Sequence, residues 1–184
     1  MHITADDLVS AFVGVIATLI LALLASLALE HYRRFRDRQS LAAALIGELS
    51  GYTDAYPTLR AAYPSMIDQL RKGICGEIPP VPATRDFIYE SNVSSIGSLG
   101  PKAAEDVAYV YQNLTAYRNV HVTLAQIYRD RHAEHKYTNE QFAFLAQSGS
   151  DCAARAHDRT TGLISRLRIM VKQNWLESIF YPPS

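Results

Sequence analysis

LVSAFVGVIATLILALLASLAL, Leu8–Leu29, is a run of 22 residues without a charge, and EHYRRFRDR, Glu30–Arg38, follows it at once. At about 1.5 Å of rise per residue such a helix spans roughly 33 Å, enough for a hydrocarbon core of about 30 Å. A helix satisfies its backbone polar groups internally, as lipid demands. The competing reading is a cleaved signal peptide, with Ser26-Leu27-Ala28 as its small-residue site. Against it stand the acidic start, Asp6 and Asp7, and an apolar run longer than a signal peptide uses. The expected organisation is therefore a short extracytoplasmic N-terminus (1–7), a transmembrane helix (8–29) and a cytoplasmic domain (30–184). Arg33, Arg34, Arg36 and Arg38 form the basic anchor that sets this orientation. Anionic headgroups attract such arginines, and Tyr32 and Phe35 suit the interface.

The remainder reads as one all-α domain. Lysine plus arginine equals aspartate plus glutamate, 18 each, which argues against broad electrostatic binding of nucleic acid. Cys75 and Cys152 are expected as free thiols in a reducing compartment, with Cys152 buried among small residues. No stretch alternates apolar and polar long enough for a sheet. Leu41, Leu45, Leu49 and Tyr52 make a helical stripe that continues the membrane helix. Gly51 and Pro57 are expected to weaken or kink it, and a further helical piece runs from Pro57 to about Arg71, with Pro64 a second kink. Residues 73–84, rich in glycine and proline, read as a loop that packs on the domain.

A short helix is expected over Arg85–Ser98, and Gly100-Pro101 opens a long one. Its stripe is Val107, Val110, Tyr111, Leu114, Tyr117, His121, Leu124 and Tyr128. After a charged turn, Arg129–Tyr137, Thr138-Asn139-Glu140-Gln141 forms a capping-box pattern. The last helix carries Phe142, Leu145, Gly149, Cys152, Ala156, Leu163, Leu167 and Met170. Three long helices with short pieces between them imply an antiparallel, up-down-up bundle. In that layout the 129–137 turn lies near the lipid. The tail Trp175–Tyr181 lies at the far end, beside the 73–84 loop.

Tyr89, Asn92, Gly97, Leu99, Tyr111 and Leu114 stand in an arrangement that resembles a pattern of small bacterial proteins with one N-terminal membrane helix and a cytoplasmic helical domain. In that pattern a Tyr/Phe-x-x-Asn stretch leads through a Gly-x-Leu turn into an acidic helix with a tyrosine before a leucine. The match spans residues 88–114. The resemblance implies a bacterial inner-membrane location and supplies no catalytic residue. Read by themselves, these residues are structural: Asn92 satisfies a backbone group, and Tyr111 packs with its hydroxyl near water or a partner.

Few features carry chemistry. Ser10, Gly14, Thr18, Ala22 and Ser26 form a small-xxx-small ladder suited to a homodimer or to another membrane helix. His132 and His135, with His157 or Glu134, are the weak candidates for a transition-metal site. Their spacing is not the zinc-protease motif, and Arg129, Arg131 and Lys136 oppose a cation. No nucleophile elbow, Walker loop, dinucleotide fingerprint or Cys-x-x-Cys pair is present, and no cofactor is expected. Asp151, Arg155, Asp158 and Arg159 look like alternating charges on a solvated face. Trp175, Leu176, Ile179, Phe180 and Tyr181 either close the bundle or dock a partner. The expectation is a membrane-tethered, non-enzymatic interaction or regulatory module, with a histidine metal site as its rival.

Overall fold

The computed structural model describes residues 5–74, 86–134 and 137–176, with backbone alone at 5–11, 128 and 130–134. Every element among them is helical: α1 (Ala5–Arg71), α2 (Phe87–Asn92), a 3₁₀ stretch (Val93–Leu99), α3 (Pro101–Glu134) and α4 (Asn139–Lys172). The all-α class and the three long helices are those expected.

α1 holds one stretch long and apolar enough to cross a membrane, and side chains 12–29 are all exposed. The helix then continues unbroken into the domain, where Leu41, Ala42, Leu45 and Leu49 are buried. Gly51, Pro57 and Pro64 all lie within this one helix, which is assigned through to Arg71. Proline removes the N–H that would bond the carbonyl four residues back, which frees the Thr53 and Arg60 carbonyls at Pro57 and Pro64. Seven residues apart, both prolines lie on one exposed side of the helix, where water can take over those bonds.

Cross-helix contacts set the directions. Glu48, Tyr52 and Tyr63 of α1 meet Tyr111, Arg118 and His121 of α3, so these two helices run the same way. Gln39, Tyr56 and Arg71 meet Val171, His157 and Asn139, so α4 runs against both. The expected up-down-up path is thus corrected: α1 and α3 both ascend and only α4 descends. The return leg after α1 is made by Asp86, α2 and the 3₁₀ stretch. Asp86 sits beside Tyr52, the Ile88 N–H reaches Glu48, and Ser94, Ser95 and Ser98 flank Leu41 and Ala44.

Two expected positions are reversed by this path. The turn before α4 lies at the Arg71 end of α1, roughly 60 Å from Tyr32 along the helix axis, far from the apolar segment. Trp175 lies at the opposite end, against His31 and Tyr32, rather than at the far end of the bundle, where α1 ends. The 73–84 loop falls almost wholly outside the described residues.

Several local expectations hold. Gly100 takes φ 88°, a left-handed value that suits glycine, and Pro101 begins α3. Thr138 Oγ1 accepts the Gln141 N–H at 3.3 Å while Gln141 Oε1 accepts the Thr138 N–H at 2.9 Å, closing the capping box. Asn92 Nδ2 donates to the Ile88 carbonyl at 2.8 Å. The short helix tightens to 3₁₀ geometry after Asn92. On α4, Phe142, Gly149, Cys152, Ala156, Leu163, Leu167 and Met170 are buried. This helix fills the space between the other two.

Candidate functional site

Where the three long helices pass each other midway, small residues leave a cleft of about 710 Å³. Gly51 and Ala55 thin the α1 wall, and Ala153 and Ala156 thin the α4 wall. Leu59, Leu114, Tyr56 and Tyr117 make the lining largely apolar, with Glu48, Arg118, His157 and Thr160 as its polar points. The volume falls within the range of small-molecule sites.

A dense polar network borders one side. Arg118 donates to both Asp86 oxygens, at 2.5 and 2.7 Å, and to the Tyr52 hydroxyl at 2.5 Å. The Tyr52 hydroxyl donates in turn to Asp86. Glu48 accepts the Tyr111 hydroxyl at 2.6 Å and the backbone N–H groups of Ile88 and Tyr89 at 3.1 and 3.3 Å. The Tyr89 and Tyr111 rings stack at 4.1 Å. These bonds tie the return leg to α1 and α3. Asp86 stands at the N-cap position of α2, yet its side chain makes no cap bond and serves Arg118 instead.

The electrostatics favour permanence over proton transfer. Burial, then the bond to Asp86, raises the Tyr52 phenol well above its usual range. Burial, then Glu48, does the same at Tyr111. Asp86 holds the Arg118 guanidinium still more firmly protonated. A phenol in this state is a hydrogen-bond donor rather than a base. Deeper along α1, the Tyr63 hydroxyl and His121 Nε2 share a hydrogen bond, and burial lowers the His121 pKa. His121 is therefore neutral near pH 7.

The predicted residues distribute as follows. His157 stacks on Tyr56 at 4.0 Å in the cleft, roughly 27 Å along α4 from Asn139. The His132 and His135 side chains lie outside the described residues. Among the described residues, no three His, Cys, Asp or Glu side chains gather as a metal site. Gly14, Thr18, Ala22 and Ser26 are exposed on α1, with Thr18 Oγ1 donating to the Gly14 carbonyl at 2.8 Å. The Ser10 side chain also lies outside the described residues.

Of the basic anchor, Arg33, Arg34 and Arg36 are exposed, and Arg34 pairs with Glu30 at 2.7 Å. Arg38 turns instead toward the bundle with the buried Phe35, its guanidinium 5.5 Å from that ring. Phe35 thus serves the core, not the interface, because it lies on the side of α1 that the domain covers. Ile179, Phe180 and Tyr181 are outside the described residues.

Sequence reasoning passes over the network itself. Glu48 is one carboxylate among several along the first helix, and its partners lie 40–63 positions away. Arg155 and Arg159, which read as a solvated face, reach across to α3. Arg155 donates to Asn113 at 3.1 Å, and Arg159 lies 3.2 Å from the fully buried Asp106, which also pairs with Arg166. The one signal is position: Glu48 and Asp106 each sit beside a core residue, Leu49 and Val107. Comparison with family models, curated proteins and solved structures finds no match to the chain.

Proposed function

We propose that the chain is a membrane-tethered, non-enzymatic interaction or regulatory module of the bacterial inner membrane, with its N-terminus outside and its helical domain in the cytoplasm. One observation carries this reading: α1 runs without a break from the exposed apolar segment into the wall of the cleft. A helix shared by both parts makes the domain a rigid extension of the anchor. An event at the cleft is then mechanically linked to the membrane segment, and the converse also holds. At the cleft's edge Tyr52 and Arg118 are tied to Asp86 and held in their protonated forms, which favours binding over catalysis. The arginines after the apolar segment support the orientation. The contacts of such a module are the bilayer and either a second copy of this chain or another membrane protein.

Affinity purification of tagged protein from native membranes in mild detergent, followed by the mass of the intact complex, tests the reading. A stoichiometric second protein or a defined homo-oligomer is the expected result. A lone monomer overturns the interaction role. Protease added to spheroplasts should spare the helical domain and, added to inverted vesicles, should degrade it; the opposite pattern overturns the orientation.

A further inference from the structure

The C-terminal end of α4 comes to rest at a particular height. The Trp175 indole N–H donates to His31 Nδ1 at 3.2 Å, and its ring meets the Tyr32 ring edge-on at 5.9 Å. His31 and Tyr32 are the second and third residues after Leu29, so they stand roughly 3–5 Å beyond the apolar segment. The polar layer on each side of a bilayer is about 5–8 Å deep. Trp175 is therefore held at headgroup level of any membrane that α1 crosses. Leu176, next to it, is 62% exposed.

What holds the end in place is also visible. Gln39 Nε2 lies 3.0 Å from the Val171 and Gln173 carbonyls, capping the end of α4 from the side of α1. Gln173 then adopts extended backbone, which ends the helix and carries the chain on to Trp175. Lys172 sits in the last turn of α4, between the two residues whose carbonyls meet Gln39. Indole and phenol rings favour this layer because one edge is polar and the body apolar. Basic side chains there meet lipid phosphates.

We propose that the end of α4 is a second membrane contact: Trp175 and Leu176 insert in the headgroup layer of the bilayer that α1 spans. The inference rests on the reading of α1 as a transmembrane helix. Its occupant is the lipid surface, chosen because the patch is continuous with the apolar segment. A bundle fixed at both α1 and α4 cannot pivot about the helix exit, and its orientation to the membrane is set.

Trp175 is the chain's one tryptophan, so its fluorescence reports this site alone. The full chain would be reconstituted into vesicles of phosphatidylcholine and phosphatidylglycerol, with bromine placed high or low on the acyl chains. The expected result is loss of emission, greater with the shallow label than with the deep one, and protection from aqueous iodide. A second variant, Trp175→Phe with Tyr32→Trp, should give the same depth order. Gln39→Ala should lessen the quenching of Trp175. Unquenched, iodide-accessible emission from protein that resists alkaline extraction overturns the second contact and leaves the anchor standing. Protein released by alkaline extraction overturns the transmembrane reading, and the second contact with it.

Discussion

At the scale of single residues, two buried polar groups have consequences that can be measured. The Asp86 side chain is 4% exposed and Arg118 is 19% exposed. Removing one member of such a pair leaves the other charge without its partner in a poorly solvated place. Asp86→Ala should therefore destabilise the domain by about 3 kcal/mol in urea unfolding. Asp86→Ala with Arg118→Ala should cost less than the sum of the single changes, because the second removes the orphaned charge. Additive costs would show that the pair does not act as a unit. His121 gives a pH dependence of definite sign. Its pKa is lowered in the fold, so the unfolded chain binds the proton more readily. Stability should fall as pH drops below about 6.5, the ordinary histidine value. His121→Asn should flatten that part of the profile relative to the parent, whereas an unchanged slope would assign it to other groups.

At the scale of elements, α4 is the helix on which both neighbours pack, and its glycines separate two roles. A Cβ at Gly149 would lie 2.8 Å from Val120 Cγ1 and 3.4 Å from the Tyr63 hydroxyl. Valine in a helix has little rotamer freedom, so α3 itself must give way. Gly149→Ala should lower stability by about 1–2 kcal/mol, the overpacking strain exceeding the gain in helix propensity. At Gly162, also within α4, an added Cβ would meet nothing within 4 Å, so Gly162→Ala should raise stability by about 1 kcal/mol. Opposite signs for two identical substitutions in one helix, read from denaturation midpoints, would establish that α3 and α4 approach most closely at Gly149. The same close approach explains the small-residue middle of the α4 stripe, which is legible from periodicity. The pairing of Arg159 and Arg166 with Asp106 is not, because charges at helical spacing look alike whether they face water or a neighbouring helix.

At the scale of the whole molecule, the exposed apolar segment and the domain belong to one continuous helix, so association of one positions the other. The ladder Ser10, Gly14, Thr18, Ala22 and Ser26 steps by four residues, the ridge that gives right-handed, close crossings between membrane helices. Thr18 keeps its hydroxyl bonded to the Gly14 carbonyl, which lowers the cost of placing it in lipid. Gly14→Ile should reduce self-association in vesicles, measured by energy transfer between labelled copies, without changing the unfolding of the domain. An unchanged transfer signal would remove the ladder from the account of assembly. Along α1 the domain extends roughly 60 Å from Tyr32 to Arg71, where Asn139 at the start of α4 meets it.

Whatever depends on neighbours in the chain was determined by the sequence. The apolar length of Leu8–Leu29, the 3.6-residue stripes of α3 and α4, the Gly100-Pro101 start and the Thr138–Gln141 box all arise within a turn or two of helix. Tertiary structure decided the direction of travel and everything that follows from it. About 30 residues between α1 and α3 suffice either for a tight reversal or for a return along the bundle, and local preference does not distinguish the two. Because the chain returns there, α3 ascends beside α1, α4 descends between them, and Trp175 arrives at Tyr32 instead of the far end. The Glu48 and Asp86–Arg118 network belongs to the same class: its members are 32 to 66 positions apart, and only the packed helices bring them within hydrogen-bonding reach.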